Sequence, residues 1–325
     1  VPVEVGIGKF AVTPFDSKKF LSFLKSQDFK SLVSKFESKY GNRTSKATST
    51  ETLDNASTKE DSRKNVERSV DSSVLVPTES TTYELITEEK TLLSWINEAF
   101  SRGLVAVDTE TTSLNAMMAK LVGVSLSTGV GRAAYIPLAH ISPSDQIDLD
   151  LETQSPEIQA TSNQPNQIDF SKAIDLLRPL LESPSVLKIG HNIKYDIEVL
   201  FRYGINVAPI DDTMILSYLL EGAQHRHGMD ELSELYLNYK TIKFKDIAGS
   251  GKTQLTFDKI PIEKAFNYAA EDADITTRLY QHLKPRLLKK KLSTLYETME
   301  RPLLNVLANM EKAGIAVNSK FLNSL

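Results

Sequence analysis

Four apolar residues, Leu104-Val105-Ala106-Val107, run directly into Asp108-Thr109-Glu110-Thr111. The apolar half reads as a central strand buried on both faces. Two carboxylates follow at a spacing of two, which on extended backbone puts both on one face, roughly 7 Å apart. Ionised together at the end of a buried strand, they repel and raise each other's pKa. A divalent cation removes that conflict, and hard oxygen ligands suit Mg²⁺ or Mn²⁺. Asp and Thr also favour strand-end turns, so the pair alone leaves an ordinary structural reading open.

Composition narrows the setting. The 325 residues hold 38 Lys and Arg against 42 Asp and Glu, a net charge of −4. That argues against a basic nucleic-acid coat protein but leaves room for a nuclease whose carboxylates hold metal. With no cysteine, disulfides, thiolate metal sites and a cysteine nucleophile drop out. No apolar run approaches the ~18 residues of a membrane span, and the N-terminus Val1-Pro2-Val3-Glu4 lacks a signal-peptide layout. No partnership with a membrane is expected, and a reducing cytoplasm is the default location. The missing initiator Met suggests a piece of a longer chain.

Along the chain, Phe20, Leu21, Phe23, Leu24, Phe29, Leu32, Val33 and Phe36 form a helical apolar stripe in search of a partner. Residues 38–80 are Ser/Thr-rich and cannot bury enough apolar surface to order themselves, so they read as a flexible, disordered linker. A short strand is expected at 83–86, then a helix capped by Thr87 and ending near Phe100. Strands follow at Leu104–Val107, Leu121–Leu126 and Ala133–Leu138, antiparallel by their short connections. Residues 141–167 carry no Lys or Arg and read as a long polar insertion. Helix Phe170–Leu181 and strand Val186–Ile189 complete a crossover that should make the new strand parallel to an earlier one. Helices are then expected at Asp212–Leu220, Met229–Leu237, Pro261–Leu283 and from Ser293 to about Lys312. A short fifth strand is placed near Asn206–Ala208. This order fits a mixed five-stranded α/β sheet, the layout of the ribonuclease-H-like fold among several others.

Two further segments carry polar groups at helical spacing. In Gly190-His191-Asn192-Ile193-Lys194-Tyr195-Asp196, Asn192 and Asp196 are four apart and can face one way. They equally suit a helix cap and a dipole partner. In Tyr268-Ala269-Ala270-Glu271-Asp272-Ala273-Asp274, Tyr268 and Asp272 share a helix face, with small residues between them that admit a close neighbour. Asp274 falls on another face and is expected to be solvated. Gly249-Ser250-Gly251-Lys252-Thr253 imitates a phosphate loop, but Asp246 stands where that pattern needs Gly. His225 and His227 read as surface residues rather than a zinc site.

Taken together, the three segments resemble the motifs of the DEDD exonuclease superfamily, tyrosine subgroup. Region 83–284 is similar throughout to the proofreading domain of bacterial family A DNA polymerases, in Gly228-Met229-Asp230-Glu231-Leu232, Lys240-Thr241-Ile242-Lys243-Phe244 and Ala248-Gly249-Ser250-Gly251-Lys252 among others. Residues 1–37 resemble the tail of a 5′ nuclease domain, and the segment with Glu300-Arg301-Pro302-Leu303 resembles the start of a polymerase domain. The resemblance implies a ribonuclease-H-like exonuclease domain over 81–286, preceded by the linker, with truncated ends of neighbouring domains at 1–37 and 287–325. It stops before any polymerase catalytic residues.

By the same resemblance, two divalent ions are held by Asp108, Glu110, Asp196 and Asp272, with Asp108 shared between them, and Tyr268 aligns the attacking water. Thr111 and Leu114 match residues on the terminal nucleotide; Asn192 and Tyr195 match residues along the single strand. His191 stands where Gln is frequent. Lys240, Lys243, Lys245 and Lys252 form either a backbone-contact strip or a solvated loop. The implied activity is 3′→5′ removal of nucleotides from the 3′ end of DNA by a monomeric bacterial, nucleoid-associated protein. A silent structural module and an RNA-trimming enzyme of the same superfamily are the alternatives.

Overall fold

A computed structural model describes residues 17–27, 29–40, 81–141 and 165–324. The chain divides into two units, 1–68 and 69–325. In the first, helices α1 (Ser17–Ser26) and α2 (Lys30–Tyr40) pack on each other around buried Leu24. The Phe20 and Phe36 rings meet at 5.3 Å. The apolar stripe is therefore two helices, and α2 runs three residues into the region read as linker. The remainder of that linker, and residues 142–164 of the insertion, lie outside the described residues.

The second unit is built on one mixed sheet. Its strands are β1 (Thr82–Leu85), β2 (Leu104–Thr111), β3 (Leu121–Gly129), β4 (Arg132–Pro137), β5 (Leu187–Gly190) and β6 (Ile210–Asp212). They lie in the order β1-β4-β3-β2-β5-β6. Antiparallel pairing of β2 with β3 and β3 with β4, and parallel pairing of β2 with β5, agree with the connection lengths. Five strands were expected and six are present. The segment at 82–85 joins the edge parallel to β4, Tyr83 opposite Ala133. The last strand lies at 210–212 rather than 206–208. Pro209 has no N–H for the ladder, so registered pairing with β5 begins at Ile210 opposite Lys188. Its two aspartates are poor strand formers, so the sequence points to the residues just before it.

Strand parity divides the two faces. Val105 and Val107 point to the main core. There they meet α3 (Glu89–Arg102), α4 (Phe170–Glu182) and α5 (Ile193–Phe201). α3 buries Leu92, Trp95, Ile96 and Ala99, the i, i+3, i+4, i+7 set of an amphipathic helix. Glu88 rather than Thr87 occupies its N-cap, and Gly103 at φ +69° ends it. After β6 come α6 (Thr213–Glu221), α7 (Met229–Leu232) and α8 (Phe244–Ala248), and the opposite face of the sheet is crossed by α9 (Ile262–Lys289). Ala270 and Ala273 pack there on Ala133 of β4, so short side chains bring helix and sheet together.

Beyond α9 the chain stays helical, through α10 (Ser293–Leu295), a π turn at Tyr296–Glu300 and α11 (Arg301–Ala313), which stops at Gly314. Leu304 and Ala308 of α11 are buried in the same core as α3, α4 and α5. The helical run 293–313 therefore closes the sheet's own core. Leu304→Ala is expected to lower unfolding stability by about 2–4 kcal/mol. Urea denaturation followed by circular dichroism would read this as a lower midpoint with an unchanged slope.

Candidate active site

β2 is the axis of the site. The ladder carries it through both carboxylates, with Asp108 opposite Ser125 and Glu110 opposite Gly123. Asp108 and Glu110 share one face by the alternation of the strand, and Thr109 takes the other. α9 brings Asp272 to the carboxylate face. Ligand atoms of Asp108, Glu110 and Asp272 all lie within 4.8 Å of one another. Among the described residues, this is the group of three or more candidate ligands that the fold assembles.

Asp196 is placed separately. It lies in the first turn of α5, buried, and its Oδ1 accepts hydrogen bonds from the Thr109 backbone N–H at 3.0 Å and from Thr109 Oγ1 at 2.5 Å. It is outside the tight trio but shares its field, since burial and then the Asp108 charge raise its pKa. Gly190 permits this packing, because a Cβ there would sit 2.6 Å from Ile193 Cβ.

Burial dominates the electrostatics. It pushes Asp108 up to about 7. Glu110, Asp196 and Asp272 rise well above the ordinary carboxylate range, from burial first and neighbouring carboxylates second. Glu110 Oε1 is buried with no hydrogen-bond partner. A cluster of hard oxygen donors, mutually repelling and with one oxygen unpaired, has the chemistry of a divalent-cation site. The residues present therefore fit a metal.

Tyr268, one turn before Asp272, packs its ring on Phe257 and Phe244 at 6.1 and 6.2 Å. Burial and the surrounding carboxylates raise its pKa. Its hydroxyl is thus a hydrogen-bond donor and not a base at neutral pH. Thr111 and Tyr195 are hydrogen-bonded through their hydroxyls, which joins the end of β2 to α5. Leu114 is 99% exposed in the loop after β2. Arg202 steadies that loop by donating to the carbonyls of Ala116 and Ala119. Asn192 occupies the N-cap of α5 at φ +64°, without capping through its own side chain.

Some other expectations change and some hold. Asp274 is fully buried, not solvated. It accepts from Tyr83 Oη at 2.9 Å, the Gly131 N–H at 2.7 Å and Arg278 Nε at 3.1 Å, locking α9 to the sheet edge. His191 turns to Thr213, with Nδ1 2.8 Å from Oγ1, and burial lowers it to about 4. Lys243 is paired with Asp230 at 2.9 Å, so it does not stand free in a basic strip. Gly251–Thr253 is a 3-10 turn preceded by helix, consistent with rejecting a phosphate loop. His227 lies beside Ser217 and the Gly222 carbonyl. Sequence reasoning gave no role to Thr109, Glu271 or Asp212. Thr109 was inside the acidic motif. Glu271 accepts from Tyr239 Oη and the Ile242 N–H, a long-range pairing with no local signature.

The raised carboxyls bind protons more tightly folded than unfolded. Without metal, stability therefore falls as pH rises from ~4, the ordinary carboxylate value, through about 7. Asp108→Asn removes one of the repelling charges. In chelator at pH 8 it should be more stable than the parent by on the order of 1–3 kcal/mol, with little difference at pH 4. Urea denaturation at both pH values checks this.

Comparison with known proteins agrees with the geometry. Residues 83–288 match the family model of the DNA polymerase A 3′-5′ exonuclease. DNA polymerase I of Rhizobium leguminosarum is 46% identical over 259 residues, 77% of this chain and 24% of that protein. DNA polymerase I of Pseudomonas aeruginosa is 40% identical over 244 residues, 74% of this chain and 25% of that protein. The chain thus spans about a quarter of the length of these curated relatives. Among solved structures, the POL domain of Pol1 from M. smegmatis, in complex with DNA primer-template and dNTP, superposes with a TM-score of 0.51 at 20% identity. That superposition covers 75% of this chain and 34% of that one, and at such identity the likeness concerns the fold. The match over 83–288, on a ribonuclease-H-like sheet with the carboxylates gathered at β2, places the chain in the 3′-5′ exonuclease family of DNA polymerase A.

Proposed function

We propose that this chain removes nucleotides one at a time from the 3′ end of DNA as 5′-monophosphates, using two divalent ions, Mg²⁺ or Mn²⁺. The observation that carries this reading is the Asp108, Glu110 and Asp272 trio, within 4.8 Å and containing an unpaired buried oxygen on Glu110. Family membership supplies the reaction class.

Asp108, Glu110 and Asp272 would hold one ion, and Asp108 with Asp196 the other. Bound divalent ions supply charge neutralisation, activation of water and stabilisation of the leaving 3′-oxygen. The chain's own groups do the rest. Asp196 is kept at its place by Thr109. Tyr268 directs its hydroxyl at the carboxylate cluster and orients water by donating or accepting a hydrogen bond. Leu114, projecting from a tethered loop, is suited to wedge against terminal bases. Thr111, Asn192 and Tyr195 line the way from β2 to α5, where aromatic stacking tolerates any base at ~1–3 kcal/mol each. Four carboxylates repel a phosphodiester, so substrate binding is expected to require metal.

In the longer protein, we read 1–37 and 287–325 as parts of adjoining 5′ nuclease and polymerase domains. Proofreading of a primer terminus is then the role of the site. We expect a monomer at work in the bacterial cytoplasm, on the nucleoid.

Asp108→Ala combined with Glu110→Ala should reduce metal-dependent degradation of a single-stranded oligodeoxynucleotide to background, with the circular dichroism spectrum kept. Tyr268→Phe should slow it by about 10–100-fold, the cost of a misplaced reactant. A double variant that digests DNA at the parental rate would refute the assignment. Faster digestion of a matched RNA strand would move the substrate class to RNA.

A further inference from the structure

One buried pair of carboxylates has no part in this chemistry. Asp211 and Asp212 end β6 and are 0% and 1% exposed. Asp211 is neutralised by groups from α9 and the run that follows it. It accepts from Tyr280 Oη and Lys284 Nζ at 2.8 Å each, Tyr296 Oη at 3.0 Å and Arg301 Nη1 at 3.3 Å.

Asp212 is satisfied by backbone alone. Its carboxylate accepts from the N–H groups of Met214 at 2.7 Å and Ile215 at 3.3 Å, the ordinary N-cap bonds of α6 (Thr213–Glu221). It also reaches the N–H groups of Asn192 at 3.2 Å and Ile193 at 2.9 Å. Those two belong to the start of α5, which has no cap from the side chain of Asn192. Asn192 is held in the left-handed region, a conformation that is uphill for a residue with a Cβ. One carboxylate thus anchors two helix N-termini and fixes the turn that presents Asn192, Tyr195 and Asp196.

The anchor is held in turn from outside the sheet. Tyr296, fully buried, accepts from the Asp212 N–H at 3.1 Å and donates to Asp211 Oδ1. It lies in the helical run that packs α11 on the core.

We infer that Asp212 is a positioning residue for the exonuclease centre, holding the Asn192–Asp196 turn through its bonds to Asn192 and Ile193. The Tyr296 hydroxyl extends this support to the run 293–313, so the segment after α9 helps to set the geometry at Asp196. The inference rests on the exonuclease reading above and goes beyond it, since that reading assigns neither Asp212 nor Tyr296 to substrate or metal.

Asp212→Ser separates the two jobs of the carboxylate. Serine can still cap α6, but it is too short to reach α5. In the full chain, Asp212→Ser should lose about 10–100-fold in kcat/KM on a single-stranded oligodeoxynucleotide, and its affinity for Mn²⁺ in titration calorimetry should weaken by about 10-fold. Tyr296→Phe should shift both in the same direction by about 3–10-fold. Asp169→Ala removes the cap of α4, an Oδ1 bond to the Lys172 N–H, and should keep parental kinetics and Mn²⁺ binding while lowering the melting temperature. Asp212→Asn replaces Asp212→Ser if the latter loses the folded spectrum. Losses no larger than those of Asp169→Ala would overturn the positioning role. Parental behaviour of Tyr296→Phe would overturn the extension to 293–313. A parental chain that leaves the oligonucleotide intact would overturn the exonuclease reading along with both.

Discussion

Like-charged carboxylates do not gather in a protein interior unless something holds them there. Here Asp108 and Glu110 come with the strand, Asp272 with α9 and Asp196 with α5, and each arrives with its pKa raised. The rest of the unit supplies the force against that repulsion. The apolar core beneath β2 fixes the strand, and Ala270 and Ala273 let α9 approach closely. Asp274 ties α9 to Tyr83 and Gly131 at the sheet edge. A bound divalent cation would offset that repulsion, as expected where a functional site is built against local stability.

Strand alternation explains how one short motif serves two faces. Asp108 and Glu110 look toward α9, whereas Thr109 between them looks toward α5 and takes hold of Asp196. The β2 segment therefore supplies two of the gathered carboxylates and, in the same four residues, the clamp for a third from another helix. Tyr195 repeats the connection farther out through Thr111. A site distributed over three elements becomes one object because β2 touches all of them.

The run from Ser293 to Ala313 has a double character. Its sequence resembles the start of another domain, yet Leu304 and Ala308 fill the exonuclease core and Tyr296 bonds to Asp212, which anchors α5, and to its neighbour Asp211. Buried contact and hydrogen bonding, not sequence likeness, define where a folding unit ends.

Much of this was legible in the chain itself. Val105 and Val107 announce a buried strand, the two-residue spacing of Asp108 and Glu110 announces a shared face, and the four-residue spacing of Tyr268 and Asp272 announces another. These are local periodicities, fixed by backbone geometry whatever the surroundings. Tertiary structure decided what depends on groups far apart in sequence. Asp274 looks solvated until Tyr83, 191 residues away, closes on it. Asp212 looks like one helix cap until α5 arrives at its other oxygen. The last strand lies a few residues beyond 206–208, where the sequence suggests it, because Asp211 and Asp212 pair with β5 only after the crossover has placed them there. Periodicity tells which way a side chain points along its own element; only packing tells what it meets.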